Sequence, residues 1–213
     1  MVQHRQHYYC QLRSVSCYGW WHGLSTTDCD NITIQNNTTA GRASGILVNN
    51  SIVSTISGNT LTNNFNNGIN VSNGQNCTIT NNTFTNCGTN GNTPSLTING
   101  VATDGTQRLS VVGNTFVGGK NGISLANMDA LTIANTGSPE VLLPDNDGKA
   151  TLTGTVIALS NIDNTTIANF DLSAATFGGT ALSTFNCDNI TIQNNNATNR
   201  SAGIMWRTAS FPP

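Results

Sequence analysis

The chain is expected to fold as an all-β solenoid, a narrow ribbon wound into about seven to eight stacked coils. Three observations lead there. The phrase CDNITIQNN occurs at residues 29–37 and again at 187–195, and weaker versions return between the copies. Aligning them puts Ile34, Ile56, Ile79, Val111 and Ile192 in one column, each followed three residues later by Asn37, Asn59, Asn82, Asn114 or Asn195. The column steps by 22, 23 and then 32 residues, with Ile133 a further 22 on; a period near 22 is too short for a propeller blade and suits repeats that stack.

Within each turn the first element reads as a strand. Asn31-Ile32-Thr33-Ile34, Cys77-Thr78-Ile79-Thr80, Leu131-Thr132-Ile133 and Asn189-Ile190-Thr191-Ile192 alternate apolar with polar and are rich in β-branched residues, so one face points inward. A second strand follows 12 or 13 residues later at Ile46, Ile69, Ile123 and Ile204, each preceded by glycine. So narrow a ribbon cannot bury its own apolar face, but turns stacked about 4.8 Å apart form parallel sheets around a continuous core. The recurring Asn37, Asn59, Asn82, Asn114 and Asn195 are expected to turn the first corner and to pair amide with amide from turn to turn as a structural ladder.

Residues 1–28 lack the repeat and hold all three histidines, all three tyrosines and Trp20-Trp21; they read as an atypical N-terminal cap or a fragment edge. Residues 29–213 read as the solenoid domain, with loops near 87–108 and 136–150. The second loop carries Glu140, the chain's one glutamate. Loops inserted on one face of a solenoid are where binding tends to reside.

Charged residues make up 8% of the chain and the net charge is −2, which gives no electrostatic basis for nucleic-acid binding. No apolar run is long enough to insert in a membrane. Residues 1–11 contain His4, Arg5, His7, Tyr8 and Tyr9 where a secretory leader would be apolar, yet the Asn- and Thr-rich composition favours an extracellular or cell-surface setting. Asn-x-Ser/Thr triplets at Asn31, Asn37, Asn76, Asn164, Asn189 and Asn196 are expected in number from such a composition.

The six cysteines permit disulfides. Cys29 and Cys187 share a register but lie about 30 Å apart by the stacking spacing, so they read as buried thiols; Cys10 with Cys17 and Cys77 with Cys87 are the pairings to test. His4, His7, Cys10, Cys17 and His22 would be enough ligands for zinc, but their spacing matches no common finger.

The phrases ITIQNN, TISGNTLTNN, CTITNNTFTN and LSVVGNTF, each followed by a Gly-Ile strand, resemble the repeats of right-handed parallel β-helix proteins, the group containing pectate-lyase-like enzymes, periplasmic NosD-like proteins and many bacterial surface proteins. The likeness covers about residues 29–208 and implies a right-handed parallel β-helix; it is nearly silent on activity, because the fold hosts unrelated functions. The polygalacturonase pattern of paired aspartates with a later His-Gly and basic triplet is absent. A mechanism like that of pectate lyases implies Ca²⁺ held by carboxylates and an arginine base, for which the parts are Asp129, Asp163 and Asp171 with Arg108, or Lys120, as the basic partner. Asp129 and Asp163 each precede a core strand and are expected on adjacent turns. Asp145-Asn146-Asp147-Gly148 resembles the start of a calcium loop, with Asp145 and Asp147 as ligands, although Gly148 falls too early for an EF-hand and an ordinary turn explains it as well.

These features point to a noncatalytic β-helical scaffold or carbohydrate-binding module of an extracellular or cell-surface protein, with polysaccharide as partner. The alternative is a calcium-dependent lyase or epimerase acting on acidic polysaccharide. An open parallel edge would also allow self-association or continuation as a longer solenoid. A third reading is an ice- or surface-binding lattice formed by Thr33, Thr78, Thr132, Thr166 and Thr191, which two long insertions are expected to interrupt.

Overall fold

Alternation of β-branched and polar residues produces short strands, and the corners between them fall at asparagine and glycine. The structure, a computed structural model, describes residues 22–100, 109–129, 132–134, 152–163, 166–168, 172–173 and 178–207. The first turn contains His22–Thr27 (β1), Ile32–Gln35 (β2) and Thr38–Ala40 (β3), and the second Ser44–Asn49 (β4), Ile52–Ser57 (β5) and Thr60–Thr62 (β6). In the third, Asn67–Thr80 (β7) bends through a corner to serve two sheets before Thr83–Thr85 (β8). Pro94–Gly100 (β9), Leu109–Val112 (β10) and Thr115–Val117 (β11) form the fourth. Then follow Asn121–Asp129 (β12) with Thr132–Ala134 (β13), Thr155–Asp163 (β14) with Thr166–Ala168 (β15), Thr180–Phe185 (β16) with Thr191–Gln193 (β17), and Ala202–Arg207 (β18).

Roughly six turns can be followed among the described residues, and every strand pairing among them is parallel. Sheet 1 stacks β1, β4, β7, β9, β12, β14, β16 and β18; sheet 2 stacks β2, β5, β7, β10, β13, β15 and β17; sheet 3 stacks β3, β6, β8 and β11. This is an all-β right-handed parallel β-helix. The cap expected over residues 1–28 includes β1, which pairs in register with β4; residues 1–21 lie outside the described residues. The stretch 87–108 contains β9 as well as loop, because Ser95-Leu96-Thr97-Ile98 keeps the inward-outward alternation.

The core is a set of columns. Leu24, Ile46, Ile69, Leu96, Ile123, Ile157 and Leu182 align across sheet 1, and Ile34, Ile56, Ile79, Val111 and Ile167 across sheet 2, whose last member, Ile192, is half-buried, while Ile204 at the end of sheet 1 is exposed. Sheet 3 contributes Thr39, Leu61, Phe84 and Phe116, the two rings stacked with centroids 4.5 Å apart. Each aliphatic side chain so buried contributes about 2 kcal/mol from removal of apolar area.

Corners fall where the backbone turns left-handed. Positive φ recurs in columns: Asp28, Asn50, Asn73, Asn127, Asn161 and Asn186 after sheet 1, Asn31, Val53, Asn76 and Asn189 on entering sheet 2, and Asn36, Gly58, Asn81, Gly113 and Asn194 on leaving it. Asparagine tolerates this region better than other side chains, so Val53 at φ 56° is the β-branched exception.

The proposed Cys77–Cys87 disulfide is not formed: neither residue is bridged. Cys77 stands in the inward column of sheet 2 beside Ser54, whereas Cys87 follows the corner after sheet 3 and its thiol donates to the Leu61 carbonyl at 3.3 Å. Burial pushes the Cys77 thiol from its ordinary 9.0 to about 11, against a smaller lowering by the Ser54 backbone hydrogen bond. Burial likewise raises Cys87, with the hydrogen bonds of Asn64 and Thr85 opposing it. Cys29 and Cys187 are not bridged either; Cys10 and Cys17 lie outside the described residues.

Candidate functional site

At the corner between sheets 2 and 3, Asn37 Nδ2 donates to Asn59 Oδ1 at 3.1 Å, Asn59 Nδ2 to Asn82 Oδ1 at 2.9 Å and Asn82 Nδ2 to Asn114 Oδ1 at 3.0 Å. Each acceptor oxygen also takes the backbone N–H of the asparagine on the preceding turn, at 2.9–3.0 Å. The amide nitrogens of Asn59, Asn82 and Asn114 reach further, to the carbonyls of Ile34, Ile56 and Ile79 at 2.8–3.0 Å. Asn195 Nδ2 bonds the Ile167 carbonyl at 2.9 Å in the same manner. Asn59, Asn82 and Asn114 are buried, and their amides satisfy backbone groups that the corner would otherwise strand. This column supports the rod from inside and presents nothing to a ligand.

A second set of amide ladders runs along the outside. Asn50 Nδ2 donates to Asp28 Oδ1 at 3.1 Å and Asn73 Nδ2 to Asn50 Oδ1 at 2.8 Å, and the series Asn127 to Asn99, Asn161 to Asn127 and Asn186 to Asn161 has distances of 2.7–2.8 Å. The sequence reading missed it. The signal was asparagine at the end of each sheet 1 strand, hidden by the abundance of that residue elsewhere.

On sheet 2 the positions of Thr33, Thr55, Thr78, Ser110, Thr132, Thr166 and Thr191 fall in one register column. The register is continuous on either side of the insertions expected to interrupt it; residues 101–108 and 135–151 lie outside the described residues. Alongside, sheet 3 aligns Thr38, Thr60, Thr83 and Thr115, with Thr62 and Thr85 in a parallel column. No charged residue occupies an outward strand position of these two sheets among the described residues. The surface is hydroxyl-rich and electrically neutral.

Asp129 and Asp163 are register partners, closing β12 and β14 on adjacent turns. Asp171 and Arg108, the other members of the expected catalytic set, lie outside the described residues, as do Asp145 and Asp147 of the expected calcium loop. Among the described residues no group of three His, Cys, Asp or Glu side chains is placed to hold a metal ion. Nor is any helix there long and apolar enough to cross a membrane.

The lengthened corner between β8 and β9 helps to form a cleft of 480 Å³ at the start of the sheet 1 strands, lined by Asn92, Pro94, Lys120, Asn121, Ile123, Ser124, Gly154, Thr155 and Ala158. The half-buried Asn121 ties its floor together across three turns, donating to the Asn92 carbonyl at 2.7 Å and accepting from the Thr155 N–H at 2.8 Å. A Cβ at Gly154 would collide with Asn121 Oδ1, so glycine is what admits this bridge. Of the cleft's lining, sequence reasoning singled out Lys120, as a basic partner, and Ile123, as a strand position, neither as part of a cleft.

The buried Arg200 was also not anticipated. Its Nε donates to the Leu172 carbonyl at 2.7 Å, Nη1 to Leu152 at 2.8 Å and Nη2 to Ser173 at 3.0 Å. Five donors in a rigid fork suit it to gathering carbonyls from several turns where the regular ladder is absent; its role is to hold the rod together.

A family model described as "Right handed beta helix region" matches residues 2–137. No curated protein matches the chain.

Proposed function

The chain belongs to the right-handed β-helix family, and from that premise we propose that it is a noncatalytic β-helical scaffold that contacts polysaccharide at an extracellular or cell surface. The observation that carries this reading is the neutral, hydroxyl-rich exterior of sheets 2 and 3, where threonine rows repeat in register from turn to turn. Hydroxyls both donate and accept, as sugar hydroxyls do. A ligand that is itself a repeating polymer would meet the same group at each step along a stiff sheet, so weak contacts add through multiplicity. The test is co-sedimentation with a panel of insoluble polysaccharides, comparing the wild-type chain with a variant in which Thr55, Thr60, Thr78 and Thr83 are replaced by lysine. Loss of retention in a variant that keeps its far-ultraviolet circular dichroism supports the proposal; absence of wild-type retention on every polysaccharide overturns it.

One observation favours a second reading, the calcium-dependent lyase or epimerase on acidic polysaccharide: the register pairing of Asp129 with Asp163. Two carboxylates on neighbouring strands suit a hard cation. Calcium-dependent appearance of unsaturated products from an acidic polysaccharide, abolished by Asp129→Asn, would establish this reading in place of the first.

A further inference from the structure

We propose that the cleft at the start of β9, β12 and β14 is a binding site for one anionic sugar unit, with Lys120 as the group that reads its charge. The inference rests on the glycan-contact reading above and goes beyond it by assigning a site and a ligand class. Three properties of the cleft carry it.

The first is size and shape. A volume of 480 Å³ falls within the range of small-ligand sites, about 300–1,000 Å³, and accommodates a sugar ring with part of a neighbour.

The second is the distribution of groups. Pro94 and Ala158 give the lining an apolar component suited to the C–H face of a sugar ring. Ser124 and Thr155 bring hydroxyls to the same recess, and the exposed Asn92 stands on the rim. Lys120 is the one charged residue among the described residues of the lining. It is exposed, and among the described residues no hydrogen bond or ion pair engages its ammonium group. A lysine ammonium is a compact, strongly hydrated point charge on a flexible stem, able to swing onto a carboxylate or sulfate while the ring rests below.

The third is preorganisation. The Asn121 amide holds the loop carrying Asn92 and the backbone of Thr155 in fixed relation, and Ser95 Oγ donates to the Asn121 and Cys87 carbonyls at 3.2 and 3.0 Å. The floor is therefore built before a ligand arrives, which lowers the ordering cost of binding. The threonine face has no ionic group at its described outward strand positions, so it cannot make this discrimination.

The experiment measures binding by titration calorimetry of three soluble probes: a galacturonate tetramer, a sulfated galactose tetramer and a neutral cellotetraose. The proteins are wild type, Lys120→Met and Ser124→Trp, the last filling the recess. The expected result is that at least one anionic probe binds wild type, that its affinity falls with added salt, and that each substitution weakens it at least tenfold while the melting temperature is kept. The two anionic probes distinguish carboxylate from sulfate as the recognised group. Undiminished binding of the anionic probe to both variants overturns the cleft assignment and leaves the scaffold reading standing. Neutral binding equal to anionic, insensitive to Lys120→Met, overturns the ligand class. Failure of all three probes overturns the cleft assignment, and failure of insoluble polysaccharides as well removes the glycan reading with it.

Discussion

The two copies of CDNITIQNN occupy equivalent positions in the coil yet have different surroundings. In the first copy Ile32 and Ile34 are 1% and 0% exposed, in a turn that also carries β3 of sheet 3. In the second, Ile190 and Ile192 are only half-buried, although β17, like β2, is an end strand of sheet 2 with one paired neighbour; among the described residues no sheet 3 strand follows it. Asn37 is tied to Asn59 on the next turn, whereas Asn195 bonds back to the Ile167 carbonyl. Identical side chains thus acquire different burial from their neighbours. In a solenoid, stability is approximately a sum of what each repeat contributes and what each interface adds.

Substitution of the paired isoleucines should break the equivalence most strongly. Ile34→Ala is expected to destabilise by about 3–4 kcal/mol and Ile192→Ala by about 1 kcal/mol, since only the first leaves an enclosed cavity; urea denaturation with a shared slope measures the gap, and equal losses would refute the interface account. The amides come next. Asn82→Ala leaves the Ile56 carbonyl without the Asn82 amide and the Asn59 backbone N–H without its acceptor in the interior and should cost about 2 kcal/mol, against less than about 1 kcal/mol for Asn195→Ala.

Alkaline pH gives a further contrast. Cys77 has its folded value raised to about 11 from 9.0, so its contribution is fully present below the unfolded value and is lost as pH rises through the folded one. Stability measured by urea should therefore decline from pH 9 towards 11, and less steeply in Cys77→Ala. Native-state alkylation at pH 8 should modify the thiols of Cys77 and Cys87 only as fast as the chain opens. The smallest effect concerns a corner. Val53→Asn replaces the β-branched residue at positive φ by the residue found there at Asn31, Asn76 and Asn189, and should stabilise by about 1 kcal/mol; a lower melting temperature would contradict the strain.

Period and alternation made the sheets legible, because stacking forces Ile34, Ile56 and Ile79 to recur at the length of one turn. The asparagine column was legible for the same reason. The 32-residue step to Val111 conceals a row of hydroxyl residues, Thr78, Ser110 and Thr132, that stays in register, since added sequence length between strands need not add rise along the rod. The cleft escaped notice because its groups come from three turns: Asn92 and Pro94, then Lys120 to Ser124, then Gly154 to Ala158. None of these positions departs from its local pattern. Likewise nothing around Arg200 in sequence announces that the carbonyls of Leu152, Leu172 and Ser173 converge upon it.

The sequence by itself determined the coil, since a side-chain period of two within a repeat near 22 can bury its apolar positions only by laying turn upon turn. Only the tertiary structure decided which groups meet across turns: Asp129 beside Asp163, the cleft around Lys120, and the unequal burial of two identical phrases. The reason is that repetition specifies what recurs at every turn. Recesses and uncovered edges arise where neighbouring turns differ, and such differences acquire meaning only when the turns are in contact.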